Sequence, residues 1–326
     1  MHAIRQHEFG PAETLRYQEV PDVVPAAGQL RIAVRAAGVH LADTMIRKGQ
    51  SGGPFAPPEL PMTPGREVAG VVDQVGDGVD ASWIGKRVVA HLGFTSGGYA
   101  ELAVVSAASV HETPDGLTDE VAVASIGTGR TAAAILEIAA ITGDDVVLVP
   151  AAAGGIGSLL VQAGRNAGAY VVGLAGPSKV DIVRKLGADA AVDYTADGWA
   201  EAVREALGGR EVTLLLDGVG GEAGRAAWDL VGIGGRVVLF GWSSGDPLEV
   251  TTDALYERGL TVTVAVGPRV LKRPGGLRGL ETIAIAEAAA GRLVPLVHQP
   301  YALADAAAAH RALENRETTG KVVLKP

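Results

Sequence analysis

The chain has 326 residues, about two domains at roughly 150 residues each. Its 48% hydrophobic and 20% charged residues are ordinary globular usage and exclude a disordered tail or a collagen-like chain. A formal charge of −9 and only 4% aromatic residues argue against a nucleic-acid surface, and the absence of cysteine excludes disulfides and thiolate metal sites.

The N-terminal MHAIRQHEFG carries no long apolar stretch, so a secretory signal is not expected and the reading is a soluble, cytoplasmic protein. The first third reads as β-rich. Gln29–Val39 alternates Leu30, Ile32 and Val34 with Arg31, Ala33 and Arg35, the period of a half-buried strand. Val68–Val79, Lys86–His91 and Gly97–Val105 read as further strands between glycine turns. Gly49–Gly65 is punctuated by glycine and proline and reads as a long loop, of the kind that forms a pocket rim.

The pattern changes near Ser125. Thr131–Ile141 reads as a helix stopped by Gly143. Strands are then expected at 145–149, 170–174, 190–192, 212–216, 236–240 and 261–266. Helices are expected at 156–167, 180–186, 199–207 and 222–231. Short apolar strands separated by helices predict a parallel sheet covered on both faces, and six of them match the full doubly wound dinucleotide fold. A last helix at 303–315 leads to a strand at 321–324. From Val146 to Gly164 the chain is uncharged and long enough to imitate a membrane span. Pro150, Gly154, Gly155 and Gly157 interrupt it, so a strand, a turn and a helix account for it better.

That turn, LVPAAAGGIGSLLVQ at 148–162, carries the chemistry. Glycines let a pyrophosphate approach the backbone, and the helix start offers unpaired N–H groups and a positive dipole end. Ala152 occupies the first position of the Gly-x-Gly-x-x-Gly pattern; the alternative is a tight turn with no ligand. An NAD site places an acid about 20 residues on. Here the second strand ends at Gly176, followed by Ser178 and Lys179, so a 2′-phosphate and NADPH are favoured over NADH. Lys179 alone reads equally well as the solvated start of a helix.

Together with VRAAGVHLADTMIRKG (34–49), PGREVAGVVDQVG (64–76), GGYAELAVV (97–105), LGADAAVDY (186–194), LLLDGVGG (214–221), GRVVLFG (235–241) and AHRALENRETTGKVVL (309–324), these segments resemble the zinc-independent quinone oxidoreductase, zeta-crystallin-like branch of the medium-chain dehydrogenase/reductase family. The resemblance covers nearly the whole chain. It implies an α/β fold, a Rossmann doubly wound parallel sheet at 125–266 inserted in a GroES-like β-rich catalytic domain at 1–124 and 267–326. It implies NADPH at Gly154, Gly155, Ile156 and Gly157, with Lys179, Tyr194 and Arg316 at the 2′-phosphate. Phe240, Gly241 and Val266 would lie along the nicotinamide, and Thr128 would touch the cofactor. Read without the family, Tyr194 is a half-buried cover for the sheet end and Arg316 a solvated helix-end cation.

Zinc-dependent cousins carry a Cys-His pair where this chain has His40–Leu41, and Gly-His-Glu where it has Gly65–Arg66–Glu67. A catalytic zinc needs three protein ligands, so no metal is expected, and Glu67 is read as a structural carboxylate paired with Arg66 or Arg47. Hydride transfer then rests on positioning an electron-poor acceptor, a quinone or an α,β-unsaturated carbonyl. Of the catalytic candidates His40 and Asp43, His40 either donates to the developing oxyanion or lines the pocket, and Asp43 caps the adjacent turn. Met45 and Ser51 stand where quinone reductases of the family often have tyrosines, which leaves room for an enone or an enoyl thioester. The uncharged, β-branched 260–266 is an edge that invites pairing, and the family implies a homodimer through it; the alternative is an edge covered by a helix near 279–290. The competing reading of function is a catalytically weak NADPH-binding interaction protein.

Overall fold

The computed structural model describes residues 1–50, 58–93 and 96–326, so Ser51 lies outside the described residues. The chain divides into two compact units. One comprises Met1–Gly129, Glu281–Ala290 and Val294–Pro326; the other comprises Arg130–Leu280 and Gly291–Leu293.

In the first unit β1 (His2–Gln6) and β2 (Leu15–Glu19) form an antiparallel ribbon. The hub of the main sheet is β3 (Gln29–Val39), whose Leu30, Ile32 and Val34 face the core as their alternation requires. One edge of β3 pairs antiparallel with β4 (Glu67–Val75), followed outward by β5 (Arg87–His91) and β7 (Val110–Glu112). Its other edge is shared. β6 (Leu102–Ser106) lies beside Gln29–Ala33, and β15 (Val322–Lys325) beside Ala37–Val39, with β14 (Tyr301–Ala302) outside it. Helix α1 (Leu41–Arg47) starts directly off β3. Helix α2 (Asp119–Ala124) is capped by the Thr118 hydroxyl and runs into a π-helical turn, Ser125–Gly129.

The second unit holds α3 (Arg130–Ala139) and six parallel strands: β8 (Val146–Val149), β9 (Tyr170–Ala175), β10 (Ala190–Asp193), β11 (Val212–Asp217), β12 (Val231–Leu239) and β13 (Thr261–Val264). Their order across the sheet is β10-β9-β8-β11-β12-β13. Numbered within the sheet this is 3-2-1-4-5-6, the doubly wound dinucleotide order. The four residues of β8 are all buried, as a strand covered on both faces must be. Helices α4 (Gly155–Ala167), α5 (Val180–Leu186), α6 (Trp199–Leu207) and α7 (Gly221–Trp228) alternate with the strands, and α8 (Thr252–Arg258), α9 (Pro268–Leu271) and α10 (Gly276–Ala289) follow. The chain re-enters the first unit within α10 and ends there with α11 (Ala306–Glu314) and β15.

The uncharged run at 146–164 resolves into β8, the turn and most of α4. Among the described residues one helical stretch, Asp119–Ala139, is long and apolar enough to cross a membrane, and 67% of its most apolar window is buried inside the fold. The expected helix at 222–231 needs correction. It stops at Trp228, and Val231 already pairs with Val212 in the sheet. Glycines 232, 234 and 235 disfavour helix there, and the Arg258 guanidinium takes up the carbonyls of Trp228 and Val231 at 3.0 and 2.7 Å.

Candidate functional site

In the second unit five residues, 150–154, join β8 to α4. Ala151 bends the backbone into the left-handed region at φ 51°. Ala152 has an ordinary backbone and donates its N–H to Leu174 O at 2.8 Å, so the glycine pattern tolerates alanine there. Gly154 is the N-cap of α4, extended at φ −78° and ψ 173°, and no side chain caps this end. The N–H groups of Gly155, Ile156 and Gly157 thus stand at the positive end of a 13-residue helix. At Gly157 a Cβ would stand 2.9 Å from Ala152 Cα and 3.0 Å from the Ala151 carbonyl carbon, so only glycine lets α4 lie against the turn. These features suit a pyrophosphate.

The remaining residues of this unit gather at the same ends of the parallel strands, where doubly wound sheets bind ligands. Gly176 follows β9 and begins a short 3-10 turn, Pro177–Lys179, that leads into α5. A Cβ built on Gly176 meets nothing within 4 Å. Tyr194 follows β10 and donates its N–H to Ala175 O at 3.2 Å, which brings the end of the third strand beside the end of the second. Phe240 follows β12 and donates its N–H to Asp217 O at 2.9 Å; its ring lies over Gly218. Ala265 donates its N–H to Leu239 O at 2.9 Å and so sets Val266 near Phe240 and Gly241 in the backbone path. Thr128 and Arg316 belong to the first unit. Thr128 is buried in the π-helical turn, and Arg316 follows α11 with a left-handed backbone, φ 58°.

The first unit builds a polar cluster around His40 and Asp43. His40 follows β3 and N-caps α1, and Asp43 Oδ2 accepts the His40 backbone N–H at 2.8 Å. Asp43 also faces Arg66 at 3.4 Å and accepts from the Tyr99 hydroxyl at 3.1 Å. Behind Tyr99 stands His310, with Nε2 3.2 Å from the hydroxyl and Nδ1 3.4 Å from Arg47 Nη1. An arginine only donates, so Nδ1 accepts and Nε2 carries the hydrogen. The chain of donors runs from Arg47 through His310 and Tyr99 to Asp43. Burial pushes the His310 imidazole down to about 4, which keeps it neutral as this chain requires. Burial pushes the Tyr99 phenol well up, with Asp43 adding to it. Burial alone would raise Asp43, but His40 and Arg66 outweigh it and hold the carboxyl below its usual range.

On the other side of His40 lies Glu67, whose pairing differs from the expectation. Its partners are neither Arg66 nor Arg47. His40 Nε2 stands 2.5 Å from Oε1, and the Lys321 ammonium 2.7 Å from Oε2. Arg66, in the bend just before β4, faces Asp43 at 3.4 Å, while Arg47 on α1 reaches Glu314 on α11 at 2.7 Å. Glu67 is fully buried; burial would raise its carboxyl, but His40 and Lys321 win and hold it well below the carboxylate range. Burial lowers the Lys321 ammonium against the pull of Glu67. Met45, exposed on α1, lies outside this cluster.

The donor set does not suit a zinc ion. Leu41 cannot ligate, Arg66 is a cation paired with Asp43, and Lys321 Nζ stands 2.9 Å from His40 Nε2 as well as against Glu67. Among the described residues no group of three or more histidine, cysteine, aspartate or glutamate side chains is placed to hold a metal.

Sequence reasoning had singled out His40, Asp43 and Glu67 but neither Tyr99, His310 nor Lys321. His310 was open to inference, because it shares the face of α11 that buries Ala306, Ala309 and Ala312. Lys321 left no such signal beyond its place directly before the apolar run Val322–Leu324.

Comparison with known proteins agrees with both units. Residues 26–115 match the alcohol dehydrogenase GroES-like domain, and residues 186–324 the family described as zinc-binding dehydrogenase. The quinone oxidoreductase of Salmonella typhimurium is 31% identical over 99% of each chain. The 2-haloacrylate reductase of a Burkholderia species is 31% identical over 98% of this chain and 97% of its own. The crystal structure of Escherichia coli quinone oxidoreductase complexed with NADPH superposes with a TM-score of 0.87 at 30% identity, covering 100% of both chains. With its doubly wound sheet, its GroES-like strands and this likeness along its whole length, the chain belongs to the quinone oxidoreductase branch of the medium-chain dehydrogenase/reductase family.

Proposed function

We propose that this chain is an NADPH-dependent reductase that passes hydride to a quinone or an α,β-unsaturated carbonyl compound without a metal. The observation that carries the reading is the uncapped, glycine-lined start of α4 in a sheet of 3-2-1-4-5-6 order. The N–H groups at 155–157 bind the pyrophosphate, and Gly154 leaves room for it. Gly176, Ser178, Lys179 and Tyr194 receive the 2′-phosphate, in the space where an NAD enzyme would set an acid. Phe240, Gly241 and Val266 line the nicotinamide side. Family resemblance adds Thr128 and Arg316 to this set. NADPH, when bound, supplies the hydride.

The relatives named above act on, by their names, a quinone and a 2-haloacrylate. Both are electron-poor double bonds conjugated to a carbonyl, and both need one proton besides the hydride. His40 is the exposed member of its cluster, with a quarter of its side chain open to solvent. Its Nδ1, the ring nitrogen not turned to Glu67 and Lys321, hydrogen-bonds the acceptor oxygen as negative charge builds there. Asp43 fixes the His40 backbone, and Tyr99 and His310 fix Asp43.

The test is an acceptor screen. The purified chain with NADPH and either 1,4-benzoquinone or a simple enone is expected to oxidise NADPH only when acceptor is present, at a rate that a chelator leaves unchanged, with NADH a poorer donor. No acceptor-dependent oxidation would overturn the reading.

The same reading includes a homodimer joined along β13. This strand is the last of its sheet, and Val264 on it is 52% exposed. Sedimentation is expected to give twice the chain mass at micromolar concentration, and a monomer under those conditions counts against it.

A further inference from the structure

We infer that the Lys321 ammonium is a built-in cation, fixed at the place a divalent metal would have to take to use Glu67 and His40, and that it acts on the acceptor through His40. The inference deepens the function proposed above and rests on it for its catalytic part only.

The geometry is specific. Lys321 is 97% shielded from solvent, and its Nζ stands 2.7 Å from Glu67 Oε2 and 2.9 Å from His40 Nε2. Its backbone is anchored on both sides, the N–H to Leu296 O at 2.7 Å and the carbonyl to the His298 N–H at 2.9 Å. Gly320 before it has a left-handed backbone, and a Cβ there would stand 2.5 Å from the Leu296 carbonyl carbon. The strand start is therefore held in one position, and the ammonium with it.

The carboxylate is equally confined. A Cβ on Gly38 of β3 would run into Glu67 Oε2 and lie 3.0 Å from Lys321 Cε. A Cβ on Gly127 of the π-helical turn would overlap Glu67 Oε1 and lie 3.2 Å from His40 Nε2. Two glycines from separate elements thus clear just enough room for the carboxylate. A buried carboxylate needs a counter-charge, and the chain supplies it covalently.

A metal ion could not share these donors as they stand. His40 Nε2 and Glu67 Oε1 are 2.5 Å apart. Two ligands at ~2.0–2.1 Å from a tetrahedral ion stand roughly 3.3 Å apart, and a third protein ligand is needed besides. An ammonium stands beside the pair instead, 2.7 Å from Glu67 Oε2 and 2.9 Å from His40 Nε2. Hydride transfer leaves negative charge on the acceptor oxygen. A fixed cation behind the imidazole stabilises that charge with no reorganisation, the service a Lewis acid performs elsewhere. Lys321 touches His40 and not the acceptor, so it is a positioning residue.

The test uses the whole chain in three forms besides wild type: Lys321→Arg, Lys321→Met, and Lys321→Met with Glu67→Gln. The double substitution removes both charges, so it folds even where Lys321→Met leaves Glu67 unbalanced. Co²⁺ titration followed by calorimetry needs neither cofactor nor acceptor, and wild type is expected to take up no stoichiometric ion. In turnover the double variant is expected to lose about 10²-fold in kcat, with acceptor KM and NADPH affinity within threefold of wild type. Lys321→Arg, which keeps the cation, is expected to lose less than tenfold. Uptake of one Co²⁺ per wild-type chain overturns the inference, as does a double variant that turns over within threefold of wild type, since the ammonium would then only balance Glu67. Failure of wild type to reduce any acceptor would count against the proposed function, while the Co²⁺ titration would still decide the cation site.

Discussion

Lys179→Glu is expected to raise the KM for NADPH about 10²-fold while leaving that for NADH within threefold. A 2′-phosphate carries close to two negative charges, and a charge-assisted hydrogen bond is worth about 1.5–3 kcal/mol. Replacing the ammonium by a carboxylate removes that bond and adds repulsion, so about 3 kcal/mol, or 10²-fold, is the natural scale. NADH has no phosphate there and loses neither. Gly176 supplies the reciprocal arm. Its φ of −71° and ψ of 163° admit any residue, and the space beyond its Cα is open. Gly176→Asp sets a carboxylate at the end of the second strand, where it accepts from the ribose hydroxyls of NADH and repels the phosphate of NADPH. Both substitutions are read from initial rates with the two cofactors at a fixed quinone concentration. Equal losses for NADPH and NADH would refute the phosphate role.

The parallel sheet was legible because its physics is local. Strands β8, β9 and β11 are short, mostly buried runs rich in aliphatic residues, and the helices at 180–186 and 199–207 fall where their period places them. The turn at 154–157 was legible for the same reason, since strand, glycines and helix follow one another directly. The opening ribbon was not. His2–Gln6 buries the adjacent residues Ala3 and Ile4 and so breaks the alternation that marks a strand. Helix α1 has seven residues, too few to separate its period from a turn. The cluster around His40 was the least legible part. Lys321 lies 281 positions from His40, and His310 lies 211 from Tyr99. Such contacts come from β15 pairing with β3 and from α11 meeting α1, and no local pattern encodes either. Glu67 shows the consequence: Arg66 and Arg47 were natural partners on paper, yet Arg66 faces Asp43 and Arg47 reaches Glu314 on α11.

Gly154→Asp separates stability from cofactor binding at the one turn on which the functional reading stands. The residue is the N-cap of α4, and its extended backbone is the one that capping side chains adopt. A Cβ there meets only the Ala151 carbonyl oxygen, at 3.2 Å, so the turn needs to yield by a few tenths of an ångström. An aspartate at this position accepts from the N–H groups at the helix start and complements the dipole, which offsets the crowding, so the melting temperature of the unliganded chain is expected to stay within a few degrees of wild type. NADPH fares differently. The carboxylate takes the donors the pyrophosphate needs and places a like charge about 4 Å from it, worth about 4 kcal/mol at an effective dielectric near 20. NADPH affinity, followed by fluorescence titration, is therefore expected to fall about 10³-fold, and NADH affinity with it, because both cofactors carry the pyrophosphate. That joint loss is the opposite signature from Lys179→Glu, which spares NADH. An unchanged NADPH affinity in a folded Gly154→Asp chain would mean that the glycine turn is only a turn.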